Sequence, residues 1–166
     1  LKELLQSMVI VVDTREQKNS HILKYFDENN IKYVSKKLDC GDYSFYLPAN
    51  ECFDISEDMW YNKDIVIERK NSIDEIVGNF ATDKDRLERE FARHGGKMVL
   101  MIEEEKFYDK LHQQDYRSNI NSKSAVGIFH SLMDRHNIQT FFIKKELAGK
   151  FIYYHFYYYL RNQVKT

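Results

Sequence analysis

Five short segments of this chain carry strand chemistry, and stretches of helical periodicity separate most of them. Met8–Val12 is a β-branched apolar run stopped by Asp13. Asp42–Leu47 alternates in polarity after a glycine, Gly41, and is closed by Pro48, the only proline. Asp64–Glu68 and Lys97–Ile102 are further buried-strand runs, and Gln139–Lys144 is a last one. Runs this short and this apolar suit strands buried on both faces. Between them, Ser20–Asn29 places Ile22, Leu23 and Phe26 on one helical side. Ser72 to Phe80 opens with a capping-box pattern, Ser72 and Glu75, and carries an Ile73, Ile76, Val77, Phe80 stripe. Thr82 to Gly95-Gly96, Glu105–His112, Ser124–His136 and Leu147–Asn162 read as further helices. Tyr33–Leu38 is extended, and Ala49–Lys63 is an acidic excursion of hairpin type. Strands interleaved with helices predict an α/β fold with a central mixed β-sheet flanked by helices.

The chain has 166 residues, 43% of them hydrophobic, enough for one domain with an ordinary core. A single domain over residues 1–166 is expected. Two cysteines, Cys40 and Cys52, form no disulfide framework and no zinc spacing. The six histidines show no metal spacing either. No apolar run reaches the ~20 residues of a membrane helix, and no signal peptide is visible. An intracellular, cytoplasmic protein with no membrane partner is therefore expected. The formal net charge is −1, which argues against a surface that grips nucleic acid everywhere. Any nucleic-acid argument must rest on where charge is placed.

Charge is placed in three motifs. Val12-Asp13-Thr14-Arg15-Glu16 follows the first strand, Gly41-Asp42-Tyr43 opens another, and Glu68-Arg69-Lys70 ends a third, with Asp74 four residues on. Two carboxylates from neighbouring strands, Asp42 and Glu68, can share one hard cation. Mg²⁺ takes oxygen ligands and is commonly held by one or two carboxylates plus substrate phosphate. Lys70 lies two residues after Glu68, so on an extended strand both point the same way. An acid and an amine side by side near a metal suit phosphodiester hydrolysis. An isolated Glu-x-Lys on a strand is most often a surface ion pair worth ~0–1 kcal/mol. Its coincidence with Asp42 and Asp13 favours the site.

Taken together and in this order, the three motifs resemble the signature of the XPF-type structure-specific endonuclease domain of the PD-(D/E)xK nuclease superfamily. The resemblance covers residues of about 8–160. It implies a restriction-endonuclease-like fold and a Mg²⁺- or Mn²⁺-dependent DNA endonuclease acting on branched, flap or fork DNA. It also implies roles. Asp42 and Glu68 are the main metal ligands, aided by a backbone carbonyl near Arg69, and Asp13 lies beside the metal as a ligand or through water. Lys70 positions the attacking water. Arg15 and Arg69 hold the scissile phosphate or support the site, and Asp74 completes the acidic cluster, with the orienting of Lys70 or Arg69 as its implied means. Glu16 has no clear role. The helix-hairpin-helix and helicase modules of many relatives are not expected here, a pattern resembling stand-alone phage or mobile-element members. The rival reading is a catalytically silent DNA-binding or scaffold subunit, whose mark would be loss of the acids or the lysine.

Two further features bear on partners. Arg86, Arg89 and Arg93 recur at i, i+3 and i+7 and could contact successive phosphates. The last helix is aromatic nearly all round, which predicts burial or an interface. Leu147, Phe151, Tyr154 and Tyr158 are expected to cover the core. Ile152, Phe156 and Tyr159 are then left for a homodimer interface, with base stacking as the alternative use of the tyrosines.

Overall fold

The computed structural model describes residues 1–165. In chain order its elements are α1 (Lys2–Gln6), β1 (Val9–Val12), α2 (Ser20–Glu28), β2 (Tyr33–Ser35) and β3 (Tyr43–Leu47). They continue with β4 (Met59–Trp60), β5 (Ile65–Lys70), α3 (Ile73–Thr82), α4 (Lys84–Arg93) and β6 (Lys97–Ile102). The last are α5 (Phe107–Gln113), α6 (Ser122–His136), β7 (Gln139–Phe142) and α7 (Ala148–Lys165). The strands form one mixed seven-stranded sheet in the order β2-β1-β3-β5-β6-β7, with β4 paired to β3. β3 runs antiparallel to β1 and β5, while β5, β6 and β7 are mutually parallel. The expected α/β architecture with a mixed sheet is what the chain adopts.

Strand alternation divides the core into two layers. Ile10, Val12, Tyr43, Phe45, Ile65 and Ile67 face α1, α2 and α7. Val66, Met98, Leu100 and Ile102 face α3, α4, α5 and α6. Burying each large side chain of this kind is worth roughly 1.5–3 kcal/mol. The layers also decide where the motifs go, because Asp13, Asp42, Glu68 and Arg69 sit at strand ends and inherit the alternation.

The excursion between β3 and β5 is local. Asn50 caps a short 3-10 turn, Glu51–Phe53, by accepting a hydrogen bond from the Cys52 N–H. The chain then returns as β4 along β3. The Ser72 cap of α3 is present, its Oγ accepting from the Glu75 N–H at 3.2 Å. Glu75 reaches back to the Asn71 N–H at 3.0 Å, one residue earlier than in the simplest capping box.

The aromatic helix corrects the sequence expectation. Ile152 and Phe156 are fully buried, in register with Ala148 and Leu160, and form the core side of α7. Tyr159 is half-buried against Phe45 and Tyr61. Leu147, Tyr154 and Tyr158 point outwards, at 47%, 43% and 50% exposure. The faces are thus exchanged at Ile152 and Phe156, which cannot form a dimer interface, while Tyr159 stays partly exposed beside Tyr154 and Tyr158. The physical reason is twofold. Both stripes are apolar by composition, but the tyrosine hydroxyls favour the wet side. Gly149 also lets α7 approach α2 closely: a Cβ there would meet the Tyr25 side chain at 2.8 Å. Among the described residues no helix is long and apolar enough to cross a membrane.

Candidate active site

The end of β1 is tied to the start of β3 by the Asp13 N–H, which donates to the Asp42 carbonyl at 2.9 Å. The Asp13 carboxylate is 3% exposed and fully engaged. It accepts from the Arg15 backbone N–H (3.2 Å), from Arg15 Nε (3.0 Å) and Nη2 (3.3 Å), and from the Leu38 N–H (2.8 Å). Arg15 Nη2 also donates to the Leu38 carbonyl at 2.7 Å. Its oxygens accept from Arg15 and from the chain after β2, and Asp13 also borders the cavity that holds Asp42 and Glu68. Its effect is to hold a guanidinium that is otherwise 61% exposed in one orientation.

Gly41 then makes the turn into β3 with φ +74°, and a Cβ there would meet Val66 at 2.6 Å. Only glycine fits both the backbone angle and the contact. The turn presses Asp42 against β5. The Asp42 N–H donates to the Ile67 carbonyl at 2.9 Å, and Asp42 Oδ2 accepts from the Arg69 N–H at 2.8 Å. Asp42 and Glu68 line one cavity of about 130 Å³, together with Arg15, Glu90, Arg93 and Asp13. Lys70 points to the same side of β5 as Glu68, 7% exposed. Its Nζ donates to Asn79 Oδ1 at 3.1 Å and lies 3.8 Å from both Glu68 and Glu75.

The two carboxylates are poorly compensated. Burial, then the nearby Glu16 charge, raises Asp42 to about 7, even though the Arg69 N–H opposes the shift. Burial and the Asp42 charge raise Glu68 well above the ordinary carboxylate range. Glu68 is held up in part by the Asp42 charge and Asp42 by that of Glu16, so a cation between the two carboxylates would let both ionise. Among the described residues no three His, Cys, Asp or Glu side chains converge as a metal cage. The donor set is nevertheless one that fits Mg²⁺, which needs only one or two protein carboxylates when phosphate supplies the rest.

The other side of β5 carries a different arrangement. Arg69 is 6% exposed. Its Nε donates to Glu16 Oε2 at 2.8 Å and its Nη2 to Glu16 Oε1 at 3.3 Å. Nη2 also donates to the Gln17 carbonyl at 2.7 Å, and Nη1 to Glu103 Oε1 at 3.0 Å. His21 Nε2 meets the same Glu103 oxygen at 3.0 Å. Arg69 is therefore a brace joining β5, β6, α2 and the turn after β1, and it has no free face for a phosphate. Asp74 departs from expectation as well. It accepts from the Arg117 N–H at 2.8 Å and faces Arg117 Nε at 3.5 Å. It anchors the loop before α6 and contacts neither Lys70 nor Arg69.

Residues 12–154 match the family described as ERCC4 domain. The chain belongs to that family. The fold of this ERCC4 domain is similar to that of XPF from Aeropyrum pernix, with 16% identity, a TM-score of 0.65, and coverage of 95% of this chain and 67% of the other. It is similar also to XPF from Aeropyrum pernix in complex with DNA, with 14% identity, a TM-score of 0.62, and coverage of 93% and 65%. The chain thus spans about two thirds of the length of these structures. Comparison with curated proteins gave no match. The resemblance to the XPF-type nuclease domain is borne out, as is the fold class.

The arginine row of the ERCC4 domain is divided by its partners. Arg93 reaches the cavity, with Nη2 donating to the Asp39 carbonyl at 2.8 Å and Nε to Cys40 Sγ at 3.3 Å. Arg86 pairs with Asp83 at 3.0 Å, and Arg89 is exposed; neither lines the cavity. Three residues escaped the sequence reading. Glu90 brings a further acid to the cavity from α4, Glu103 anchors Arg69, and Asn79 holds Lys70. Glu103 had a legible signal: it follows the apolar run of β6 as Asp13 follows that of β1. Glu90 lies three residues before Arg93, one helical turn away on α4. Asn79 had no signal in the sequence.

Proposed function

We propose that this ERCC4 domain is a Mg²⁺- or Mn²⁺-dependent DNA endonuclease that hydrolyses phosphodiester bonds, with branched, flap or fork DNA as its substrate. The observation that carries the reading is the meeting of Asp42 and Glu68 in one cavity, with Arg15 and Arg93 lining it and Lys70 beside Glu68. Asp42 and Glu68 would hold the ion. When bound, a divalent cation polarises the phosphate and makes water a nucleophile near neutral pH. The chain's own residues supply the rest. Lys70, fixed by Asn79, orients the attacking water on the Glu68 side. Arg15, fixed by Asp13, offers its exposed guanidinium to a phosphate oxygen. Arg93 does the same from α4. The structure of similar fold in complex with DNA supports DNA as the substrate class. A silent scaffold subunit is disfavoured, because both acids and the lysine are present and adjacent.

Pairing of two copies belongs to the same reading, now on the other face of α7. Leu147, Phe151, Tyr154 and Tyr158 line a groove of about 690 Å³ beside β7. An exposed apolar patch of this kind is uncommon on a monomer. Light scattering should report a dimer that Leu147→Asp with Tyr154→Asp converts to monomer; a monomeric unmodified chain removes this part of the proposal. The catalytic part is tested by incubating labelled single-stranded, linear duplex, flap, fork and four-way-junction DNA, and RNA, with Mg²⁺, Mn²⁺ or EDTA. Cleavage of branched DNA in either metal and none in EDTA is expected. Cleavage in EDTA, or none in any metal, would end the reading.

A further inference from the structure

A second and larger cavity, about 590 Å³, adjoins the catalytic one. Arg15, Asp39, Cys40 and Arg93 line both, so the two are continuous. Its volume lies within the roughly 300–1,000 Å³ of pockets that enclose small ligands. Its lining is strongly cationic for a chain whose net charge is −1. Arg15, Lys37, Lys63 and Arg93 face it, against one acid, Asp39. His94 lines it too.

The walls of this cavity lead to an aromatic surface. Lys37 follows Lys36, and Asn62 lies two residues after Trp60. Trp60 stacks on Tyr46 with ring centroids 4.2 Å apart and an interplanar angle of 22°. The Lys36 ammonium sits 3.7 Å from the centroid of the same indole. Two groups this close to one ring cannot share a face, so Lys36 covers the side that Tyr46 leaves open. Trp60 is 37% exposed. A large aromatic held at the surface by another aromatic, capped only by a flexible lysine, can exchange that lysine for a flat ring. The released ammonium stays near any phosphate that arrives with it.

We propose that the cationic cavity and the Trp60–Tyr46 platform form a binding track for a few nucleotides of unpaired strand. Arg15 and Arg93 stand at its catalytic mouth, Lys37 and Lys63 contact phosphates along it, and one base stacks on Trp60 in place of Lys36. The occupant is single-stranded, because a base within a duplex already has both faces stacked and cannot lie on an indole. The concave cavity also suits a single strand rather than the broad flank of a duplex. The assignment rests on the nuclease reading only in saying that the strand continues into the catalytic cavity. Binding itself needs neither metal nor the catalytic acids.

Trp60 is the only tryptophan of the chain, so its emission reports this site alone. The unmodified protein in EDTA is titrated with a short oligothymidylate and, separately, with a blunt duplex. The oligothymidylate should quench the emission saturably, and the duplex far less. Lys37→Glu with Lys63→Glu should weaken oligothymidylate binding by about tenfold or more and flatten its log–log salt slope by roughly 1.4, at about 0.7 per phosphate for single strands. Lys123→Glu, exposed on α6 and away from both cavities, should leave it unchanged. With a fluorescein-labelled oligothymidylate, Trp60→Ala should weaken binding by about tenfold and Trp60→Phe should restore most of it. Equal quenching by duplex, or affinity indifferent to the Lys37 and Lys63 changes, overturns the track. No quenching in a protein that cleaves branched DNA overturns the track and leaves the nuclease standing. Intact quenching in a protein without cleavage keeps the track and counts against the nuclease.

Discussion

Strand β5 solves two opposite electrostatic problems on its two sides. Arg69 enters the α2 and α7 layer, where Glu16, Glu103, His21 and the Gln17 carbonyl surround it with partners. Glu68 and Lys70, one residue to either side, enter the layer of α3 and α4. There Glu68 faces Asp42, and burial raises both acids. The backbone geometry is the same; only the pairing of charges differs. A compensated knot contributes to holding strands in place. An under-compensated pair of carboxylates costs folding free energy and is ready for a cation. The comparison teaches that adjacent letters of one motif, Glu68-Arg69-Lys70, divide between chemistry and scaffold by strand alternation alone.

The strongest way to break this division is to remove one member from each side. Asp42→Ala or Glu68→Ala should abolish cleavage and leave the fold intact, because removing a buried, under-compensated carboxylate offsets the loss of contacts such as that of Asp42 with the Arg69 N–H. A metal term is worth several kcal/mol of transition-state stabilisation, and ~1.4 kcal/mol is tenfold in rate, so losses of about a thousandfold are expected. Single-turnover cleavage and circular dichroism check this together. Residual activity near the unmodified level would assign the ion to other residues.

Arg69→Ala should do the reverse, acting first on stability. Removing one partner of a buried pair leaves uncompensated charge and costs about 3–5 kcal/mol. Here Glu16 and Glu103 would both be stranded, and Glu103 Oε2 already lacks a hydrogen-bond partner among the described residues. Urea unfolding should show the drop. A variant of normal stability that fails to cleave would return Arg69 to the phosphate role that the motif suggested.

This division was only partly legible in the sequence. The strands were readable because their runs are apolar on both faces, and Gly41-Asp42 with Glu68-x-Lys70 located the site. The partners of Asp13 were not legible because the Leu38 N–H is 25 residues away and belongs to an irregular segment. Asp74 was misread because spacing from Lys70 says nothing of Arg117, which arrives from a distant loop. The faces of α7 were exchanged because both are aromatic and only packing against Tyr25 and Phe45 chooses between them. Sequence gives the period of an element; the partner that selects a face lies elsewhere in the chain.

A subtler contrast lies in the pH dependence. Asp42 has an ordinary value of 3.8 and about 7 in the folded chain. Between these limits the folded state holds a proton that the unfolded state has released. Its contribution to stability is complete below about 4 and is lost as pH rises through about 7. Glu68 acts in the same direction. The metal-free protein should therefore melt at lower temperature as pH rises from about 5 to about 8, and Asp42→Asn should flatten that slope. Saturating Mg²⁺ should raise the melting temperature most at the alkaline end, since it binds the ionised carboxylates. A melting temperature that rises with pH without metal would show that the pair is compensated after all.

The smallest effects should come from splitting the arginine row of α4. Arg93 lines the cavity of Asp42 and Glu68 and is fixed by the Asp39 carbonyl and Cys40 Sγ, so its guanidinium is pre-positioned for a phosphate. Arg93→Ala should weaken DNA binding and reduce the salt slope by about one phosphate contact. Arg86 and Arg89 sit earlier on the helix, one paired with Asp83 and the other exposed, and neither borders a cavity that holds Asp42 or Glu68. Replacing both by Ala should change stability by no more than about 0.5 kcal/mol, as is usual for surface positions away from special features. Their effect on affinity should be screened strongly by salt, because exposed charges act over a Debye length of about 8–10 Å. Binding isotherms across a salt series separate the two cases. A slope that falls equally for Arg93 and for the Arg86–Arg89 pair would restore the whole row as one contact surface and extend the DNA path along α4, away from the Asp42–Glu68 side of β5.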